Sequence, residues 1–257
     1  MKTEAEDGII VTDDFAAVID GSTSKSTLNI HNDVSNGRYC MLLICDYIKQ
    51  AKKDIDVVGF CKGVTEFVRS HYDKDLLIHL SLHPEERMAA SCVIYSNYHK
   101  QIWMIGDCQC IVEQCFYDNP KPYEAVLAER RSEIAIQMIE QDGITIEELT
   151  VDDKARKAII PEMIEYMKEQ NKSYAVIDGF DIPMKGVRII KLLENEHNII
   201  LASDGYPSLK PTLELSEKCL ESQLASDPLN IFYFKATKAC MKGNNSFDDR
   251  TFLKFIV

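Results

Sequence analysis

Basic residues are in short supply. The chain carries 29 Lys and Arg against 41 Asp and Glu, a formal net charge of −12. Such a surface repels nucleic acid and anionic membranes, and the basic residues do not gather into one stripe, so no nucleic-acid partner is expected. A metal site can still turn one part of an acidic protein locally positive. Long hydrophobic runs are missing as well. The longest, such as Met41 to Cys45 and Ile199 to Ala202, fall far short of the about 18 apolar residues of a membrane helix. Met1 to Asp7 is polar and acidic where a signal peptide needs an apolar segment. Nine cysteines form no repeating framework, and their odd number without a secretion signal points to reduced thiols in a cytoplasmic setting. Repeats and low-complexity tracts are lacking too. What is present is 46% hydrophobic content over 257 residues, enough for the core of one domain spanning 1–257.

The apolar pattern changes period along the chain. Gly8 to Val11 and Phe15 to Ile19 are β-branched-rich runs around Thr12-Asp13-Asp14, which predicts a hairpin. A polar stretch from Ser22 to Ser35 reads as a loop. Asn36 to Lys52 and Asp54 to Tyr72 then space apolar residues as helices do, with Leu42, Cys45 and Ile48 on one face of the first and Val57, Phe60, Val64 and Phe67 on one face of the second. Strand-like segments follow at Ser91–Ser96, Gln101–Ile105 and Cys108–Phe116, then helices at Pro122–Gln141 and Val151–Gln170. A third group of strands is expected near Tyr174–Ile177, Val187–Leu192 and Ile199–Ala202, with helices near Leu213–Leu224 and Ile231–Cys240 and a last strand at Thr251–Val257. Strand groups separated by paired helices predict an α+β fold of two antiparallel β-sheets packed as a sandwich with helices outside, in an α-β-β-α arrangement.

Three aspartates close hydrophobic strands: Val18-Ile19-Asp20-Gly21, Ile105-Gly106-Asp107 and Leu201-Ala202-Ser203-Asp204-Gly205. A carboxylate at such a boundary is costly unless it is solvated, hydrogen-bonded or bound to a cation. Hard oxygen donors of this kind select Mg2+ or Mn2+. The tetrapeptide alone is a weak signal, because Val176-Ile177-Asp178-Gly179 repeats it letter for letter and reads as an ordinary turn.

Order and flanking residues strengthen the signal. Glu6-Asp7 with Phe15-Ala16-Ala17-Val18-Ile19-Asp20-Gly21, then Ala90 to Ile94 with Ile102 to Asp107, then Ile199 to Gly205, then Ser246-Phe247-Asp248-Asp249-Arg250-Thr251 resemble, in order, the motifs of the metal-dependent type 2C (PPM) protein serine/threonine phosphatases. The resemblance runs along nearly the whole chain. It implies that Asp20 bridges two divalent ions, that Asp204 and Asp248 complete the first ion's protein ligands, and that the Gly21 carbonyl serves the second. Glu6 and Asp7 would orient water around that second ion, and Asp107 would stand near a third-metal position. The implied activity is hydrolysis of phosphate monoesters, phosphoserine or phosphothreonine in a protein substrate, by a water activated between two Mg2+ or Mn2+ ions.

The sequence also departs from the family. Ser22-Thr23-Ser24-Lys25 stands where relatives carry His-Gly-Gly or Met-Gly-Gly, which removes a candidate acid for the leaving group. Lys2 aligns with the usual phosphate-binding arginine and lacks its bidentate fork. Ser208 stands where a further aspartate would support a third ion. These departures motivate a second expectation, a weakly active or inactive pseudophosphatase used as a binding module. Outside the motifs, His79 and His83 are spaced as on one helix face but lack a metalloprotease Glu. Cys108 and Cys110 read as buried strand thiols, and Glu129-Arg130-Arg131 as a solvated helix face.

Overall fold

The structure, a computed structural model, describes residues 5–192 and 197–257. Strands β1 (Gly8–Val11), β2 (Phe15–Gly21), β3 (Ala90–Ser96), β4 (Gln101–Ile105) and β7 (Val187–Lys191) form one sheet in the order β1-β2-β3-β4-β7. Strands β5 (Gln109–Val112), β6 (Cys115–Tyr117), β8 (Asn198–Ala202) and β9 (Phe252–Ile256) form a second, in the order β6-β5-β8-β9. Every pairing is antiparallel. The helices are α1 (Asn36–Gln50), α2 (Val57–Arg69), α3 (Lys74–Leu82), α4 (Glu124–Glu140), α5 (Ile146–Val151), α6 (Lys154–Met167) and α7 (Leu213–Ser226). The expected α+β sandwich of two antiparallel sheets is what the chain adopts.

The central strands are apolar on both faces because both faces are covered. In β2, Phe15, Ala17 and Ile19 point to α1 and α2, while Ala16 and Val18 point into the space between the sheets. Trp103 and Ile105 of β4 repeat the outward pattern, and Ile102 and Met104 the inward one. From the second sheet Cys108, Cys110, Ile199 and Leu201 meet them. Burying each large aliphatic side chain contributes about 1.5–3 kcal/mol. Cys108 and Cys110 are therefore core thiols, as their strand spacing predicts, and all nine cysteines are free.

Several local expectations are corrected. In α1 the buried stripe is Cys40, Met41, Ile44 and Ile48, and Leu42 faces outward, because the i, i+4 row from Cys40 meets β2. Helix α3 was not expected; Asp73 caps it by accepting from the Leu76 amide at 2.8 Å. Residues 231–240 form no helix. There the Asp227 carboxylate takes the amides of Ile231, Phe232 and Tyr233, while Ser132 and Arg131 take the carbonyls of Ile231 and Ala236, so side chains occupy the groups a helix would use. Tyr174–Ile177 is no strand either, since only isolated bridges join Ile177 to Ala90 and Tyr174 to Gln170.

Arg131 also departs from the solvated face expected for it: it is fully buried. Its guanidinium reaches Asp153 at 2.8 and 3.1 Å and the carbonyls of Leu229 and Ala236 at 2.8 and 3.0 Å. Asp153 in turn caps α6 through the Arg156 amide and accepts from the Ala239 amide. One buried ion pair thus ties α4, the start of α6 and the irregular 229–239 segment together.

Candidate metal centre

Strand direction explains why distant aspartates meet. β2 and β4 both run antiparallel to β3, so they run parallel to each other and end at the same edge of the sandwich. Asp20 and Asp107 lie there. The register places the end of β8 against the starts of β5 and β9, which brings Asp204 and the Ser246–Thr251 segment to that edge. The start of β1 pairs with Ile19, so Glu6 and Asp7 arrive there too.

Ligand oxygens of Asp20, Asp107 and Asp204 lie within 4.8 Å of one another, the one such group of three among the described residues. Asp20 is the hub, its carboxyl close enough to those of Asp7 and Asp204 for each to act on the others' charge. Burial, and then the carboxylates of Asp204, Asp7, Asp107 and Asp248, push its carboxyl well above the usual range. Asp204 is pushed up to about 7 by burial, Asp107 and Asp248, and burial also raises Asp7. Asp7 is held by the Ser203 hydroxyl at 2.6 Å, and that hydroxyl accepts from the Thr251 amide at 2.9 Å.

Two of the carboxylates already face cations. The ammonium of Lys121 pairs with Asp107, whose other oxygen accepts from Ser91. Burial alone would raise Asp107, yet the Lys121 charge and these hydrogen bonds hold its carboxyl below the ordinary range. Lys238 pairs with Asp248, so Asp248 stands beside the three-aspartate group, close enough for its charge to act on Asp20 and Asp204. Glu6 accepts from Thr23 at 2.6 Å and from Ser35, and its amide donates to Asp249 at 2.8 Å. Lys2 lies outside the described residues.

Glycine is required at two points. A Cβ on Gly21 would sit 2.5 Å from the Gly37 carbonyl and 2.7 Å from that of Glu6, so only glycine lets these backbones meet beside Asp20. A Cβ on Gly205 would strike the Asp249 carbonyl, which packs against the turn after Asp204. By contrast, the matching Asp178-Gly179 is structural. Asp178 is fully buried, pairs with Arg87 at 3.0 Å and accepts from Gln170, Asn171 and the Phe180 amide.

The carboxylates open into a cavity of about 130 Å³, beside a larger groove of about 1370 Å³ lined in part by Glu6, Asp7, Ser35 and Asp249. Into the cavity also project Lys25, Lys121, Glu124, Arg156 and Lys238. Lys121, Arg156 and Lys238 carry no signal in the sequence, since each sits in a stretch with no motif. Ser91 carried a signal, as a hydroxyl directly across from Asp20 in an otherwise apolar strand.

Buried carboxylates that raise one another's pKa, crowded within 4.8 Å, fit a hard divalent cation, because such an ion supplies the positive charge the cluster lacks. Among the described residues no helix is long and apolar enough to cross a membrane.

No protein-family model matches the sequence, and no curated protein matches it. Solved structures that resemble the chain include the catalytic domain of the serine/threonine protein phosphatase PstP in complex with two manganese ions, at 11% identity and TM-score 0.47, covering 100% of this chain and 94% of that one. Another is the serine/threonine phosphatase Stp1 of Staphylococcus aureus, at 16% identity and TM-score 0.47, covering 98% and 88%. A third is the PPM Ser-Thr phosphatase MsPP of Mycobacterium smegmatis in complex with cacodylate, at 12% identity and TM-score 0.44, covering 100% and 92%.

Proposed function

We propose that this chain hydrolyses phosphate monoesters, with phosphoserine or phosphothreonine in proteins as the substrate class and two Mg2+ or Mn2+ ions as cofactors. The observation that carries this reading is the convergence of Asp20, Asp107 and Asp204 from three separate strand ends onto one cavity. Asp20, Asp204 and Asp248 would hold the first ion. Asp20 and the Gly21 carbonyl would hold the second, with Glu6 and Asp7 orienting its water. When bound, the ions supply an activated water and positive charge for the phosphoryl oxygens.

The chain's own groups set the conditions for that chemistry. With all groups ionised, five carboxylates face four cations in the cavity, a balance of −1, and two divalent ions bring it to +3, suited to a phosphoryl dianion. Ser91 and Lys121 fix Asp107 in its ionised form. Thr23, Ser35 and Ser203 fix Glu6 and Asp7. In the loop that replaces the usual His-Gly-Gly, Ser24 donates to the Ser26 carbonyl at 3.3 Å and Thr23 to Glu6 at 2.6 Å, and the loop offers no imidazole as an acid.

Purified protein with MnCl2 is expected to hydrolyse an aryl phosphate and a phosphoserine peptide, and Asp204→Asn to abolish both activities. Absent activity, or activity that survives the substitution, overturns the reading. The Lys121–Asp107 and Lys238–Asp248 pairs favour the second reading, a binding module. Calorimetric titration separates the two: an enzyme takes up two Mn2+ ions per chain, a degenerate scaffold one or none.

A further inference from the structure

Three cations from three separate segments line the cavity close to one another: Lys25 in the loop after β2, Arg156 in the first turn of α6, and Lys238 in the irregular segment before β9. Their protein partners leave much of their capacity unused. Among the described residues Arg156 donates through one guanidinium nitrogen only, Nη1, to the Thr237 carbonyl at 2.8 Å. Lys25 donates one bond, to the Thr23 carbonyl at 2.6 Å. Lys238 is paired, among the described residues, with Asp248. Asp248 is itself a proposed metal ligand, so an ion there would compete for its charge and loosen its hold on the Lys238 ammonium.

Clustered, half-buried cations repel one another, and the pKa of Lys25 records it. Burial, followed by Arg156 and Lys238, lowers it to about 7. Burial also lowers Arg156 despite Asp153 and Asp248 nearby. Such a cluster is stabilised by an anion seated among its donors. The Arg131–Asp153 pair maintains the cluster, because it anchors both the α6 cap beside Arg156 and the segment bearing Lys238. An arrangement held by a fully buried ion pair is built rather than incidental.

We propose that Lys25, Arg156 and Lys238 form the subsite that grips the substrate's phosphoryl group, with the Arg156 fork and two ammonium groups lining the same cavity as the aspartate cluster. The subsite rests on the phosphomonoesterase reading for its substrate. It deepens that reading by moving phosphate recognition to the α6 side of the cavity. Metal loading and phosphate binding are then linked, since the ion that draws on Asp248 weakens its pairing with Lys238.

The test is calorimetric binding of inorganic phosphate to the full chain, with and without MnCl2, alongside steady-state hydrolysis of an aryl phosphate. The variants are Arg156→Ala, Arg156→Lys and Lys25→Met; the last lies in an irregular loop and guards against a folding defect. Phosphate affinity is expected to rise with Mn2+ and to fall about tenfold in Arg156→Ala and Lys25→Met, with Arg156→Lys regaining part of it. KM is expected to rise more than kcat falls. If the protein hydrolyses substrate but neither variant changes phosphate affinity or KM, the subsite is wrong and the enzyme reading stands. If hydrolysis is absent yet phosphate binds and the variants lose it, the subsite stands and the enzyme reading fails. Absence of phosphate binding in the wild type overturns the subsite.

Discussion

Replacing Asp204 by Asn should make the metal-free protein more stable while removing its response to metal. In the folded chain the Asp204 carboxyl is pushed from 3.8 up to about 7 by burial and by Asp107 and Asp248. The folded state therefore holds its proton over a pH range in which the unfolded chain has released it. Stability falls as pH rises from 3.8 through 7 and stays low above. Between pH 5 and 8 the folded carboxyl titrates across about two pH units, at about 1.4 kcal/mol each, so the wild type loses about 3 kcal/mol through this one group. Asn carries no such charge. The stability difference, variant minus wild type, should therefore grow by about 3 kcal/mol over that interval, equivalent to about 5–12 °C in Tm for a chain of this size. Urea unfolding of EDTA-treated proteins at pH 5 and 8 measures it. Saturating Mn2+ at 1,000 times its Kd should stabilise the wild type by about 4 kcal/mol, and Asp204→Asn far less. A pH-independent difference, or equal stabilisation of both proteins by Mn2+, would refute the claim that repulsion among these carboxylates is what the ions relieve.

Further outcomes follow from other contacts. Arg131→Met leaves Asp153 buried without its cation and should cost about 3–5 kcal/mol by urea denaturation; an unchanged midpoint would show that the pair does not anchor α6. Lys121→Met strips Asp107 of its charge partner and should lower stability in EDTA, with Mn2+ restoring more than it adds to the wild type; equal metal response in both proteins would count against Lys121 as an internal substitute for an ion. Alkylation of the native protein followed by mass spectrometry should label exposed Cys115 first and leave Cys92, Cys108 and Cys110 unmodified, because burial excludes reagent and pushes these three thiols up; early labelling of Cys108 would contradict the intersheet core.

The sequence by itself determined the elements whose pattern is local and repetitive. Short apolar, β-branched-rich runs marked all nine strands, β5 and β6 as a single run, and helical spacing marked α1, α2, α4, α6 and α7. Asp20, Asp107 and Asp204 stood out because a charge at the end of an apolar strand needs a reason. Side chains that borrow backbone groups were not legible, which is why 231–240 was read as a helix when Asp227, Arg131 and Ser132 hold it open. Nor could local pattern separate Asp20 from Asp178. Both follow Val-Ile and precede Gly, yet one lies among carboxylates and the other against Arg87, because a charge's partners come from elsewhere in the chain. Only the tertiary structure placed Lys121, Arg156 and Lys238 around the cluster, since a cation outside any motif acquires meaning from the fold that brings its segment to that edge.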